Sequence, residues 1–178
     1  MAGIIPGKLI YLAHARTASQ ATCEAIARVP SGYRTQIHHL KLAELDVEKK
    51  GALVVTCVRN HFEVLMSWWL AVRYQYADKY WDFDRFLYEW PLNEKKHVQG
   101  HRLFALHSPA ADVVMRYERL QQDFDAVMDR IDEARMQIPM HNRTKDKDRD
   151  WRRFFKPRHV VFVKSYFKTE MEELGYDF

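Results

Sequence analysis

The sequence predicts an α/β fold, and two segments carry that prediction. Residues 8–13 (KLIYLA) form a short apolar run, which indicates a buried strand. A polar stretch at residues 14–19 follows, and residues 21–29 then carry good helix formers up to Pro30. Residues 52–58 (ALVVTCV) are the most β-like part of the chain and are typical of a central strand covered on both faces. Strand, polar loop and helix in this order indicate an α/β unit that binds phosphate.

The other elements follow along the chain. Further strands are predicted at residues 34–37 and at residues 112–116 (DVVMR). Helices are predicted at residues 41–47, 62–76, 82–90 (stopped by Pro91), 94–106 and 120–135.

A last helix is predicted from the spacing of apolar residues near the C-terminus. Spacings of 3, 4, 4 and 3 place these residues on one face of an amphipathic helix, and Gly175 then serves as its C-terminal cap. The five residues are Val160, Val163, Phe167, Met171 and Leu174.

The composition is that of one domain spanning residues 1–178. Hydrophobic residues make up 47%, which is enough for a core and excludes disordered and low-complexity classes. A net charge of +4 favours anionic partners. Cys23 and Cys57 are too few for a disulfide framework or a four-ligand zinc site, and no metal is expected. With no signal peptide and a longest apolar run (residues 64–72) of about half a membrane span, a cytoplasmic protein is expected.

The loop after the first predicted strand is the first candidate site. Backbone N–H groups at a helix N-terminus bind anions, and Arg16 adds a fixed positive charge there. Thr17, Ser19 and Thr22 add hydroxyl donors. The glycines and lysine of a Walker A loop are absent. The same residues also fit an ordinary loop in which Thr17 or Ser19 caps the helix.

The second candidate site follows the strongest strand. Arg59 ends that strand, where open α/β sheets bind their ligands, and Ser67 lies about two turns into the next helix. An arginine can clamp phosphate through two hydrogen bonds, and the serine can add a hydroxyl. A surface arginine and an ordinary helix serine are the alternative.

Together these segments resemble the sulfotransferases that use 3′-phosphoadenosine 5′-phosphosulfate (PAPS), most closely carbohydrate sulfotransferases and their bacterial relatives. Residues 15–21 (ARTASQA) resemble the family loop P-K-[TS]-[GA]-[GS]-T-S, which holds the 5′-phosphosulfate. Residues 58–67 resemble V-R-[ND]-P-[YF]-x-R-x-x-S, which holds the 3′-phosphate. The resemblance implies a three-layer α/β fold with a central parallel sheet and a strand–loop–helix like that of P-loop nucleoside triphosphate hydrolases.

Three weaker similarities occur in the family's order. Residues 116–120 (RYERL) resemble R-Y-E-D-L, whose tyrosine lies near the adenosine, and residues 141–145 (HNRTK) resemble a polar loop that closes over the nucleotide. Residues 166–176 resemble the family's terminal helix. The nucleotide-binding residues that the resemblance implies are Arg16, Thr17, Ala18, Ser19, Gln20, Ala21, Thr22, Arg59, Ser67, Tyr117, Asn142, Arg143 and Lys145.

The implied reaction moves a sulfuryl group from PAPS to a hydroxyl of a carbohydrate or small molecule, without a metal, and leaves 3′,5′-adenosine bisphosphate (PAP). Arg16 stands where the family has its catalytic lysine, so it can stabilise the leaving phosphate but hardly donate a proton. Gln20 replaces a usual threonine, His61 replaces a proline, and the loop has no glycine. The changes predict a site that still binds nucleotide, with slow turnover or none.

A base near the acceptor hydroxyl is predicted among the histidines. His39 precedes Glu44 with the spacing of the H-x-[ST]-x-x-E segment found in the resembling branch. A histidine pKa near 6.5 suits a base at neutral pH. His38 and His14, which heads the phosphate loop, are the alternatives.

Two other function classes compete with this reading. A kinase-like phosphotransferase is disfavoured by the missing Walker A residues. A basic nucleic-acid-binding module is disfavoured because positive charge is concentrated only at residues 143–158, with eight Lys/Arg against three Asp. The expected partners are therefore the nucleotide and a hydroxyl acceptor, with no nucleic acid and no membrane span. The pattern predicts no oligomeric state.

Overall fold

A computed structural model describes residues 1–35, 42, 45, 47, 49–73, 82–93, 110–140 and 150–178. The chain divides into two compact units. The first comprises Met1–Arg59 and Leu103–Asn142, and the second comprises Asn60–Arg102 and Arg143–Phe178. Each unit is assembled from two separate stretches of chain, so the units are not consecutive domains. The single domain over residues 1–178 stays a prediction.

A five-stranded mixed sheet, formed within the described residues, is the centre of the first unit. Its strand order is β3–β1–β2–β4–β5. The strands β2, β4 and β5 run parallel, whereas β1 is antiparallel to both of its neighbours. The α/β class is thus confirmed, and the expected parallel pairing holds for the central strands. The strands are β1 (Ala2–Ile5), β2 (Leu9–Leu12), β3 (Tyr33–Arg34), β4 (Leu53–Val58) and β5 (Val113–Arg116).

The α-helices of the described residues are distributed over both units. Two belong to the first unit, α1 (Ser19–Ala27) and α4 (Leu120–Arg130). The other four belong to the second unit: α2 (His61–Val72), α3 (Phe83–Asn93), α5 (Pro157–Tyr166) and α6 (Lys168–Leu174). Short 3₁₀ turns at Tyr117–Arg119 and Trp151–Phe154 precede α4 and α5.

The hairpin of β1 and β2 is an element that the sequence analysis missed. Its turn is closed by the Lys8 N–H, which donates to the Ile5 carbonyl at 3.0 Å. Pro6 occupies the second turn position, and Gly7 the third with a φ of 71°. This is the residue pattern of a type II turn, which needs positive φ at its third position. The Pro-Gly pair was therefore the available signal for a hairpin.

Side chains of the sheet alternate between two apolar clusters, as a strand period of two requires. On one face, Tyr11, Val55, Cys57 and Met115 pack with residues of α1 and α4. On the other face, a smaller cluster joins Ile10, Leu12, Ala52 and Val54 to the partly buried Leu42, Leu45 and Val47. The prediction that residues 52–58 form a strand covered on both faces is confirmed, although the middle strand of the sheet is β2 and β4 lies between β2 and β5.

Helix α4 ends earlier than residue 135, because a Schellman turn closes it. The Glu133 N–H donates to the Met128 carbonyl at 3.0 Å, and the Asp132 N–H donates to Asp129 at 3.2 Å. Asp132 adopts a φ of 53° at the position that glycine usually occupies. The sequence carried no glycine signal here, and the helical pattern was therefore extended too far.

The second unit is held by aromatic packing around the start of α2. Asn60 caps this helix by accepting the Phe62 N–H at 3.0 Å. The Phe62 ring stacks on Trp151, with 5.8 Å between the ring centroids. It also makes edge-to-face contacts with Phe155 and Phe178, at centroid distances of 5.1 Å and 4.9 Å. Burial of such rings contributes roughly 1.5–3 kcal/mol each.

Two helix predictions in the second unit need correction. Helix α3 does not stop at Pro91 but continues to Asn93. The predicted C-terminal helix is two helices, α5 and α6, which meet at Phe167. Its apolar face is nevertheless correct at the centre, where Val163, Phe167 and Met171 are buried, and Gly175 caps the end with a φ of 64°. The predicted helix at residues 94–106 lies outside the described residues, as do most of residues 36–48.

Both cysteines are buried free thiols. Burial raises the pKa of Cys23 to about 12, and it raises the pKa of Cys57 still further. These thiols therefore stay protonated and chemically inert at neutral pH. Among the helices that the structure describes, none has the length and apolar character needed to cross a bilayer.

Candidate anion-binding site

Three parallel strands of the first unit end at one edge of the sheet, and each end leads to a predicted site residue. Strand β2 leads into the loop that carries Arg16, β4 is followed directly by Arg59, and β5 is followed by Tyr117. In open α/β sheets, ligands bind beyond the carboxyl ends of the strands. The topology therefore brings together residues that lie far apart in the sequence.

Arg59 is the residue that connects the three strand ends. Its Nη1 donates to the Arg16 carbonyl at 3.0 Å, and its guanidinium lies 3.9 Å from the centre of the Tyr117 ring. Only 3% of Arg59 is exposed. A planar guanidinium suits this double role, because it can stack on a ring and donate in its own plane.

The backbone of the loop between β2 and α1 has an unusual conformation. Arg16 and Ala18 both adopt left-handed conformations, with φ of 65° and 57°. Each such conformation costs a residue with a side chain roughly 1–2 kcal/mol. Helix α1 begins directly after Ala18, which makes no side-chain cap, and no acidic residue lies in its first turn. Turns of this kind at a helix N-terminus direct N–H groups toward one point.

Two of the predicted hydroxyl donors have another role in the structure. The Thr17 hydroxyl donates to the His14 carbonyl at 2.9 Å, and the Thr22 hydroxyl donates to the Ala18 carbonyl at 3.2 Å. A hydroxyl has one proton to donate, so these two threonines brace the loop. Ser19 is partly exposed, and Gln20 is exposed beside it.

The site concentrates positive charge. Burial lowers the pKa of Arg16 from its usual value, and the nearby charge of Arg59 lowers it further, while Tyr117 acts in the opposite direction. Arginine stays protonated at neutral pH despite such shifts. A bound anion would offset the repulsion between the two guanidinium groups.

Of the three predicted bases, the described residues include only His14, which heads this loop. His14 is only 1% exposed, so its ring is enclosed at the start of the loop. His38 and His39 lie outside the described residues. Asn142, Arg143 and Lys145 lie outside them as well. Ser67 lies on α2 in the second unit and is partly exposed. The roles of all these residues stay predictions.

His61, which stands where the resembling family has proline, is a packing residue. It is the first residue of α2, a position where proline is favoured because its N–H is not needed by the helix. The buried His61 ring packs against Phe167 at 5.1 Å and against the edge of Tyr176 at 6.2 Å. The sequence pattern indicates only a departure from the resembling family at this position and gives no signal for the ring packing.

A cavity of about 410 Å³ lies at the opposite edge of the sheet, near the amino ends of β2 and β4. It is lined by Gly7, Lys8, Gly51, Ala52, Leu53, Asp112, Arg130 and Ile131. None of the predicted site residues lines it. No group of three side chains able to hold a metal ion occurs within the part of the chain that the structure describes.

Comparison with known proteins adds no assignment. A scan against protein-family models and a search of curated proteins found no match to this chain.

Proposed function

We propose that the protein is a sulfotransferase that moves the sulfuryl group of PAPS to an acceptor hydroxyl. The observation that supports the proposal best is the convergence of Arg16, Arg59 and Tyr117 at the carboxyl edge of the parallel strands. The motif resemblance assigns the same three residues to one nucleotide.

In this proposal the loop N–H groups and Arg16 bind the 5′-phosphosulfate, and Arg59 binds the 3′-phosphate. The bond between sulfur and the bridging phosphate oxygen breaks while the acceptor oxygen bonds to sulfur. Arg16 stabilises the charge that develops on the leaving phosphate, as a positioned cation does in the transition state. The acceptor proton passes to a base, for which His39 is the first prediction and His38 and His14 the alternatives.

A thermal-shift comparison tests the proposal. PAP, ATP and a single-stranded oligonucleotide are each added to the purified protein. A ligand that binds only the folded state stabilises it by about 2.7 kcal/mol at a hundredfold excess over its Kd. We expect PAP to raise the unfolding temperature most, and release of PAP from PAPS to be detectable with a panel of hydroxyl acceptors.

Arg16→Ala tests whether the loop binds the nucleotide. It should reduce the PAP shift, because it removes a cation from the 5′-phosphate site. Stabilisation by ATP without PAP would favour the phosphotransferase alternative. Stabilisation by the oligonucleotide alone, steeply weakened by salt, would favour nucleic-acid binding.

A further inference from the structure

We infer that Arg59 is also a positioning residue, which holds the anion loop in its left-handed conformation and thereby couples the two phosphate subsites. The inference depends on the proposed function for the identity of the ligand. The coupling itself depends only on contacts within the first unit. Arg59 would therefore affect a nucleotide that carries no 3′-phosphate.

The carbonyl that Arg59 holds belongs to a strained residue. Arg16 has a φ of 65°, and its carbonyl oxygen accepts from Arg59 Nη1 at 3.0 Å. Such conformations persist only where the surroundings impose them. A hydrogen bond from a charged donor is stronger than a neutral one, so it is a suitable restraint. The Thr17 hydroxyl bond to the His14 carbonyl braces the same loop from within.

The position of Arg59 is in turn set by the register of the sheet. Val58, the last residue of β4, pairs with Arg116, the last residue of β5. Arg59 and Tyr117 are the residues that follow this pair, so the two emerge side by side. The ring then lies 3.9 Å beneath the guanidinium. Tyr117 is thus the platform that orients Arg59 toward the loop.

A ligand-free measurement tests the restraint. Hydrogen exchange of the Thr22 amide, which donates to the Ala18 carbonyl of the loop at 3.0 Å, is compared between wild type, Tyr117→Leu and Tyr117→Phe. We expect exchange to be about five- to tenfold faster in Tyr117→Leu, which loses the platform, because a net hydrogen bond is worth about 1 kcal/mol. Tyr117→Phe keeps the ring and should retain protection. Amides of β1, three strands away in the sheet, should not change and serve as the internal control.

A ligand measurement separates positioning from contact. Calorimetry compares the affinities of PAP and adenosine 5′-monophosphate for wild type and Arg59→Lys, a variant that keeps the charge without the planar fork. If Arg59 only contacts the 3′-phosphate, the monophosphate affinity stays the same. We expect it to fall about tenfold.

The outcomes are distinguishable. Unchanged loop exchange in Tyr117→Leu, or unchanged monophosphate affinity in Arg59→Lys, overturns the inference even where wild type binds PAP. Faster loop exchange in a protein that does not bind PAP supports the restraint and rejects the proposed function. If Arg59→Lys does not fold, hydrogen exchange in Tyr117→Leu and Tyr117→Phe decides whether Arg59 restrains the loop.

Discussion

His159 shows how one buried side chain can set a pH dependence. Its Nδ1 accepts the Lys156 backbone N–H at 3.2 Å, so the neutral ring carries its proton on Nε2, which lies 3.1 Å from Asp84 Oδ1. Burial lowers the pKa of His159, Asp84 raises it, and the charges of Arg158 and Lys156 lower it again. The net direction is downward, and the folded protein therefore favours the neutral ring.

Stability should fall as the pH drops below the usual histidine pKa near 6.5, because the unfolded chain takes up this proton first. The stabilising contribution is complete above that pH and is lost on descent toward the folded pKa. One such group contributes at most about 1.4 kcal/mol per pH unit. Urea unfolding at about pH 7.5 and about pH 5.5 measures the loss.

His159→Gln is the control for this prediction. Glutamine can accept the Lys156 N–H and donate to Asp84 without titrating. The variant should lose less stability than wild type between the two pH values. An equal loss in both proteins would assign the effect to other histidines.

At the scale of elements, the loop between β2 and α1 explains how a sequence without glycine can build a left-handed turn. Arg16 and Ala18 adopt positive φ values, and the hydroxyls of Thr17 and Thr22, together with Arg59, hold the backbone there. The absence of glycine from this loop is evident in the sequence. The contact from Arg59 that helps to hold the loop joins residues far apart in the sequence, and no local pattern specifies it.

Ala18→Gly should therefore stabilise the protein by about 0.5 kcal/mol, because relief of left-handed strain exceeds the added entropy of the unfolded chain. Ala27→Gly, in the last turn of the same helix, should instead destabilise by roughly 0.5–1 kcal/mol. Chemical denaturation of both variants measures the pair. Destabilisation by Ala18→Gly would show that the loop is not strained at this position.

At the scale of the whole molecule, features that depend on a local sequence pattern could be predicted, whereas contacts between segments far apart in the sequence could not. The apolar run of β4 predicted a strand buried on both faces, and β4 lies inside the sheet between β2 and β5. Arg16 and Arg59 were predicted as candidate site residues because each follows a predicted strand. The contact of Arg59 with Tyr117 depends on the register between β4 and β5, which no local pattern specifies. The β1–β2 hairpin was missed because its strands are short and flank a turn that was not interpreted.

The single-domain prediction can be tested by fluorescence. All five tryptophans fall within the two stretches that form the second unit: Trp68, Trp69, Trp81, Trp90 and Trp151. Tryptophan emission therefore reports on that unit, whereas exchange of the sheet amides reports on the first. A single cooperative domain predicts one unfolding midpoint for both probes. Separate midpoints would show that the units unfold independently.

The sheet order also implies an order of assembly. The β1–β2 hairpin joins residues that are close in the sequence. Strands β4 and β5 are separated in the sequence by the long first stretch of the second unit. Closing a long loop costs conformational entropy before the new contacts stabilise the chain, so such contacts form slowly. We expect the hairpin to form early and β5 to dock late. The edge on which Arg59 contacts Tyr117 would then be completed last, and the loop of residues 15–19 would be among the final features to form during folding.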